Sequence, residues 1–182
     1  MTDMDSRILQ VQTMTGNYFQ NKLLCAEALQ MKEPNCPLRI EGTLHLFHKN
    51  RDLELVGDAV IDAVLATMWY EARDHKGERY SLAAWTQMRN DLVSNEKFAE
   101  RGFSLGLDKL IIMNRGMSSP SNDMVANTFE AIVGAMHVDA RDASFAAVRN
   151  ALEHMGFFDH PLLSGSSTVQ HITTGLAATT LA

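Results

Sequence analysis

Three carboxylates recur at every fourth residue of the segment NRDLELVGDAVIDAV, residues 50–64, and they are Glu54, Asp58 and Asp62. Residues four apart lie on one face of a helix, so these acids form a stripe along it. Like charges at this spacing repel and destabilise a helix unless water screens them or a cation lies between them. Gly57 costs a helix about 1 kcal/mol relative to alanine and indicates a close approach by another backbone. The segment therefore predicts a helix with either a solvated acidic edge or a bound cation.

A second polar stripe lies in NDMVANTFEAIVGAMH, residues 122–137. Asn127 and Glu130 are three apart and share one helical face, which Gly134 continues. If the two helices cross near their glycines, these side chains meet Glu54 and the acid that follows it. Oxygen ligands without a thiolate select Mg²⁺ or Mn²⁺ over zinc. Hydrated Mg²⁺ held by carboxylates activates water and neutralises charge on a phosphodiester, so the pattern predicts a metal site for phosphodiester chemistry.

Apolar residues recur at helical spacing along most of the chain and predict an all-α protein. The predicted helices are residues 6–31 with a break at Gly16–Asn17, residues 51 to about 70–73, two helices within 81–107 with a break near Val93–Asn95, residues 124–140, and residues 142–158. Ser81 and Asp142 are the expected caps of the helices that follow them.

Proline and glycine mark the remaining segments. Residues 32–50 contain Pro34, Pro37 and Gly42 and are interpreted as a loop, and no alternating strand is expected. Residues 161–182 are rich in Ser, Thr, Gly and Ala, which is typical of a flexible tail. The expected organisation is one catalytic domain over residues 1–160, followed by that tail.

Composition limits the class of protein. The 182 residues are 46% hydrophobic and 21% charged, as in a globular domain, and contain neither an apolar run long enough for a membrane span nor a secretory signal pattern. An intracellular, soluble protein with two reduced cysteines, Cys25 and Cys36, is therefore expected, with no membrane partner. The net charge of −6 argues against bulk electrostatic binding of nucleic acid, so a polyanion would need a local basic surface or bridging cations.

The two acidic segments resemble the motifs of a known family. DLELVGDAVIDAV, residues 52–64, resembles the ribonuclease III signature, and ANTFEAIVGAMHVDA, residues 126–140, is similar to that family's second acidic segment. Two weaker similarities follow the same order: YFQNKLLCAEAL at residues 18–29 and MRNDLVSNEKFAERGFSLGLDKLI at residues 88–111. Together these segments span residues 18 to about 157.

The resemblance implies an all-helical endonuclease domain that forms a symmetric homodimer, uses Mg²⁺ or Mn²⁺ without a small-molecule cofactor, and cleaves double-stranded RNA. The residues at the family's catalytic and metal-binding positions are Glu54, Asp58, Asn127 and Glu130. Asn95 matches an asparagine near the active site of some members. Leu55 occupies the position at which the signature helix projects into the partner subunit.

Two residues depart from the family pattern. Asn127 stands where the family has aspartate, and Asp123 stands where a lysine is common. An amide oxygen can bind a metal but carries no charge, so the change predicts weaker metal binding. Asp123 lies one turn away on the same face, and the hypothesis is that it restores the lost charge as a further metal ligand.

No double-stranded RNA-binding domain is expected after residue 161, so the dimer surface itself would have to bind RNA. The candidate phosphate contacts are Lys76, Arg79, Arg89, Lys97 and Arg115. Arg89 and Lys97, with Asn95, are the candidates nearest the site.

Two other functions remain open. A catalytically weakened scaffold that binds RNA or a ribosome would explain Asn127 and the acidic net charge, but it gives no reason to retain adjacent carboxylates. A helical metal phosphohydrolase acting on small substrates would share the ligand chemistry without the four-segment resemblance.

Overall fold

Helices make up most of the computed structural model, which describes residues 3–33 and 35–164. In chain order they are α1 (Asp3–Thr15), α2 (Lys22–Ala28), α3 (Arg51–Glu71), α4 (Leu82–Leu92), α5 (Asn95–Ser104), α6 (Asn122–Ala140), α7 (Ser144–His154) and α8 (Pro161–Ser164). The predicted all-α class is confirmed. No helix among the described residues is long and apolar enough to cross a membrane.

The prediction of a loop without strands at residues 32–50 is wrong, because this segment contains a β-hairpin. Its antiparallel strands are β1 (Cys36–Ile40) and β2 (Thr43–Phe47). Glu41 and Gly42 both have positive φ angles and form a two-residue turn, the geometry that matches the twist of paired strands. Pro37 lies opposite Leu46 in a two-stranded sheet, where each strand is an edge and a missing N–H is tolerated. Pro37 and Gly42, which indicated a loop, therefore occupy a strand edge and a turn.

Serine side chains set the starts of three helices. Ser81, Ser94 and Ser121 each accept a hydrogen bond from the backbone N–H three residues later, at the starts of α4, α5 and α6. The predicted break near residues 93–95 is confirmed, since α4 ends at Leu92 and α5 begins at Asn95.

The prediction of Asp142 as a helix cap is wrong. Arg141 has a φ of +50°, which ends α6, and residues 141–143 form a short 3-10 turn. α7 begins only at Ser144, with Ala143 at the capping position. The acid thus lies within the turn, before the position from which it could cap the helix.

α6 runs through the middle of the molecule and contacts α2, α3, α5 and α7. Its apolar residues Phe129, Ile132, Val133 and Met136 are all buried. The Phe129 ring stacks on those of Phe98 and Phe157, at centroid distances of 5.4 Å and 6.4 Å. Because α6 is held on several sides, the polar residues on its first half have a defined position relative to α3.

The boundary expected at residue 161 is only partly described. Residues Pro161–Ser164 form the short helix α8, and Leu163 is buried at 8% exposure. Residues 165–182 of the predicted tail lie outside the described residues. The division into a domain of residues 1–160 and a tail of residues 161–182 stays a prediction.

Candidate active site

α3 and α6 touch backbone to backbone at two glycines. A Cβ atom on Gly57 would lie 1.8 Å from the carbonyl oxygen of Glu130, and a Cβ atom on Gly134 would lie 2.0 Å from that of Leu53. Real Cβ atoms essentially never approach another heavy atom within 3.0 Å, so each position accepts only glycine at this helix separation. The predicted close approach at the two glycines is confirmed.

This crossing brings three predicted site residues together, Glu54 and Asp58 from α3 and Glu130 from α6. Glu130 is 6% exposed, and its pKa is raised to about 8, first by burial and then by the negative charges of Asp58 and Glu54. The carboxyl of Glu130 therefore holds its proton at neutral pH in the metal-free protein.

The carboxylate of Glu54 also has an unusual environment. Its Oε2 atom is buried and has no hydrogen-bond partner among the described residues. A buried carboxylate oxygen without a donor is costly, because it has lost its hydration without gaining a compensating bond. Together with the exposed Asp58 carboxylate, this oxygen gives the crossing a set of hard donors that suits Mg²⁺ or Mn²⁺.

These oxygen atoms are of the chemical type that suits a hard metal ion, but they are not arranged as a complete binding site. Within residues 3–33 and 35–164, no group of three His, Cys, Asp or Glu side chains is arranged to hold an ion. The interaction of the three carboxyl groups is electrostatic, because the charges of Asp58 and Glu54 help to raise the pKa of Glu130.

Asn127 and Asp123 lie on α6 before Glu130, but they differ in environment. Asn127 is partly buried on the same helical face as Glu130. Asp123 is exposed, and its Oδ1 atom accepts a hydrogen bond from Asn95 Nδ2 at 3.4 Å. The charges that raise the pKa of Glu130 are those of Asp58 and Glu54, and Asp123 is not among them. The proposed compensation by Asp123 stays a prediction.

Asp62, the third acid of the sequence stripe, is paired with an arginine. Arg89 of α4 donates from Nε to Oδ1 at 3.0 Å and from Nη2 to Oδ2 at 2.7 Å. This bidentate pair raises the pKa of Arg89, chiefly through the hydrogen bonds to Asp62, with a smaller contribution from the charge of Asp58. The Arg89–Asp62 pair therefore links α4 to α3. It also places a positive charge near Glu54, Asp58 and Glu130, the carboxylate cluster.

The candidate phosphate contacts divide into two groups. Arg89, Lys97 and Arg79 have partners within the chain: Lys97 pairs with Glu100 at 2.9 Å, and the Arg79 guanidinium lies 4.4 Å from the centre of the Tyr70 ring. The other two, Lys76 and Arg115, are exposed and form no ion pair with any described residue. This second group has no competing ion pair among the described residues.

Two positioning contacts were not anticipated from the sequence. Asn50 is fully buried at the start of α3, and its Nδ2 atom donates to the Ala28 carbonyl at 2.7 Å. The Asp139 carboxylate accepts from the backbone N–H groups of Gln20 and Asn21 at 2.7 Å and 2.8 Å. Asn50 thus joins the first turn of the acidic helix to the end of α2, and Asp139 joins the end of α6 to the start of α2. Little in the sequence indicated these contacts, because Asn50 and Asp139 each stand at the edge of a motif.

Comparisons with known proteins agree with this geometry. Residues 51–141, half of the chain, match the family model for the ribonuclease III domain. The chain is 31% identical to Ribonuclease 3 of Phocaeicola vulgatus over 146 residues, which cover 80% of this chain and 44% of that protein. Over 178 residues it is 26% identical to Ribonuclease 3 of Chloroflexus aggregans, covering 93% of this chain and 74% of that protein. The chain thus spans less than half the length of the Phocaeicola relative.

A solved structure supports the same assignment. The nuclease domain of ribonuclease III from Campylobacter jejuni superposes with a TM-score of 0.63 at 25% identity, covering 81% of this chain and 95% of that one. The shared fold and the match across both acidic helices lead to one conclusion: the chain belongs to the ribonuclease III family.

Proposed function

We propose that this chain is a divalent-metal-dependent endoribonuclease that cleaves double-stranded RNA. The observation that carries the proposal is the glycine-mediated crossing of α3 and α6, which brings together the carboxyl groups of Glu54, Asp58 and Glu130. Membership of the ribonuclease III family supplies the reaction class, and relatives that match this chain are named Ribonuclease 3. The residues proposed to act together are Glu54, Asp58, Asn127 and Glu130.

These four side chains would hold Mg²⁺ or Mn²⁺ through oxygen atoms, with Asn127 contributing a neutral amide oxygen. The ion would supply a Lewis acid that lowers the pKa of water and offsets negative charge on the phosphodiester. Glu130 would have to release the proton that burial and its two acidic neighbours hold on it. The unpartnered Oε2 atom of Glu54 already faces no competing donor among the described residues.

The cleaved duplex requires cations at its phosphates, although the chain as a whole is acidic. Lys76 and Arg115 are exposed without an ion pair to a described residue, and they are proposed as contacts. Arg89 and Lys97 are proposed to contact phosphates at the edge of the site, although each already pairs with an acid, Asp62 and Glu100 respectively. Asn95 is proposed to orient the first turn of α6 through its hydrogen bond to Asp123.

A homodimer is proposed as the active assembly. Leu55 is 72% exposed on α3, next to Glu54, and a partner subunit would cover it. The similar Campylobacter jejuni structure concerns a region involved in dimer formation of that nuclease domain. Sedimentation velocity measures the state directly, and a monomer at all concentrations up to tens of micromolar would contradict the dimer.

Replacing Asp58 by asparagine is expected to lower duplex cleavage at least 100-fold in Mg²⁺ or Mn²⁺, since an amide cannot supply the charge that holds the ion. Asp62→Asn is the matched control, because it lies one turn further on α3 and binds Arg89 instead of joining the cluster. Its cleavage should stay within about threefold of the parent. Equal losses in the two variants, or a parent that leaves long duplex RNA intact in both metals, would reject the proposed site.

Substitution of Asn127 distinguishes an active enzyme from a catalytically weakened scaffold. Asn127→Asp restores one negative charge, so we expect the concentration of Mg²⁺ needed for half-maximal cleavage to fall about tenfold. Asp123→Ala should raise that concentration if Asp123 compensates for Asn127, and leave it unchanged otherwise. A parent that binds duplex RNA without cutting it, together with cleavage by Asn127→Asp, would favour the weakened scaffold.

A further inference from the structure

Arg51 is an exposed cation at the start of the acidic helix with no partner in the described part of the chain. It is the first residue of α3, and its side chain forms neither an ion pair nor a hydrogen bond there. A cation at a helix N-terminus faces the positive end of the helix dipole, which disfavours it. No ion pair with a described residue offsets this position.

Arg51 lies on the same helix as the carboxylates, in a position from which it could contact a ligand bound there. Residues 51, 54 and 58 are spaced three and four apart, so Arg51 lies on the helical face that carries Glu54 and Asp58. Seven residues of helix separate Arg51 from Asp58, or roughly 10 Å along the axis. Arg89 lies on the other side of Asp58, bonded to Asp62 one turn further along. Positive charges thus stand before and after the acidic cluster, Arg51 on α3 itself and Arg89 of α4 beside Asp62.

We propose that Arg51 binds a backbone phosphate of the RNA next to the phosphodiester at the carboxylate cluster, and so positions the strand along α3. This inference rests on the proposed function and adds a binding residue to it. A guanidinium is suited to the role because its planar donors match phosphate oxygens in a bidentate arrangement. Arg89 is less available, since its Nε and Nη2 atoms already donate to Asp62.

The test compares Arg51→Gln with Arg141→Gln in the 182-residue chain. Arg141 is also exposed, and it lies just past the end of α6, eleven residues beyond Glu130 on the chain. Binding of a blunt RNA duplex is measured by fluorescence anisotropy across a series of salt concentrations in chelator. Cleavage of the same duplex in Mg²⁺ gives kcat and KM.

Arg51→Gln is expected to weaken duplex binding about five- to tenfold at low salt, and to reduce the salt slope by about one. KM should rise by a similar factor while kcat changes less than threefold. Arg51→Lys should recover part of the affinity, and Arg141→Gln should match the parent. The melting temperature of Arg51→Gln should equal or exceed that of the parent, because a cation has left the positive end of α3.

The outcomes separate the two proposals. If the parent cleaves duplex RNA but Arg51→Gln keeps the parental affinity and salt slope, Arg51 is not a phosphate contact and the nuclease function stands. Equal losses in Arg51→Gln and Arg141→Gln would show a general charge effect and would also overturn the assignment. If the parent neither binds nor cleaves duplex RNA, the proposed function itself fails.

Discussion

Replacing Gly57 by alanine is expected to destabilise the fold by at least about 3 kcal/mol, the upper end of ordinary overpacking. The added Cβ would lie 1.8 Å from the Glu130 carbonyl oxygen and 2.6 Å from its carbonyl carbon. These are backbone atoms of the central helix, so they cannot rotate away, and α3 and α6 would have to separate. Such a loss is a large fraction of the 5–15 kcal/mol that stabilises a typical domain. Chemical unfolding followed by circular dichroism measures it.

The sign of this effect distinguishes packing from helix propensity. Alanine favours a helix by about 1 kcal/mol over glycine, so a Gly57 that made no close contact would be stabilised by the change. Ala63→Gly, at an exposed position of α3, measures propensity alone and should cost about that amount. Gly102→Ala is a graded comparison, since its Cβ would meet the Val125 side chain at 2.4 Å instead of backbone. A stabilising Gly57→Ala would refute the crossing.

Replacing Glu130 by glutamine is expected to abolish detectable cleavage and, in chelator, to stabilise the protein at alkaline pH. Burial and the charges of Asp58 and Glu54 raise the pKa of Glu130 from 4.5 to about 8. Between these values the folded protein binds more protons than the unfolded chain, so this group lowers stability as pH rises. Its stabilising proton is fully present below about pH 4.5 and is lost as pH passes 8. The unfolding free energies of the variant and the parent should therefore agree near pH 4.5 and differ by about 2–4 kcal/mol above pH 8.

Urea unfolding at several pH values between 5 and 9 measures this difference. Glu153→Gln is the matched control, because Glu153 is exposed near the end of α7 and should show the parental pH dependence. Adding Mg²⁺ at pH 8 should stabilise the parent more than Glu130→Gln, since an ion that binds the ionised carboxylate favours the folded state. If the difference in unfolding free energy between the parent and Glu130→Gln is constant from pH 5 to pH 9, Glu130 is not held protonated.

The grouping of Glu54, Asp58 and Glu130 was largely predictable because its determinants are local. The spacing of Glu54 and Asp58 places two carboxylates on one helical face, and a glycine beside them is costly unless another helix comes close. The same reasoning applies to Glu130 and Gly134 on the second helix. Since the two segments share this unusual pairing of acid and glycine, their crossing could be inferred before any coordinates.

Other features depend on partners that are distant in the chain. Asp62 continues the acidic stripe in sequence, but Arg89 lies 27 residues away and its approach could not be inferred from periodicity. The hairpin was missed because Pro37 and Gly42 are also loop residues, and only strand pairing distinguishes the two structures. The hydrogen bonds from Gln20 and Asn21 to Asp139 join residues more than a hundred positions apart.

The sequence by itself determined the helical class, the faces that carry the carboxylates and the glycines at which two helices meet, because periodicity and backbone sterics act over a few residues. Only the tertiary structure decided which acids remain together. It buried Glu130 beside two negative charges, and it paired Asp62 with Arg89. Burial and charge pairing depend on which distant segments pack together, so they raise or lower a pKa in a way that spacing alone cannot specify.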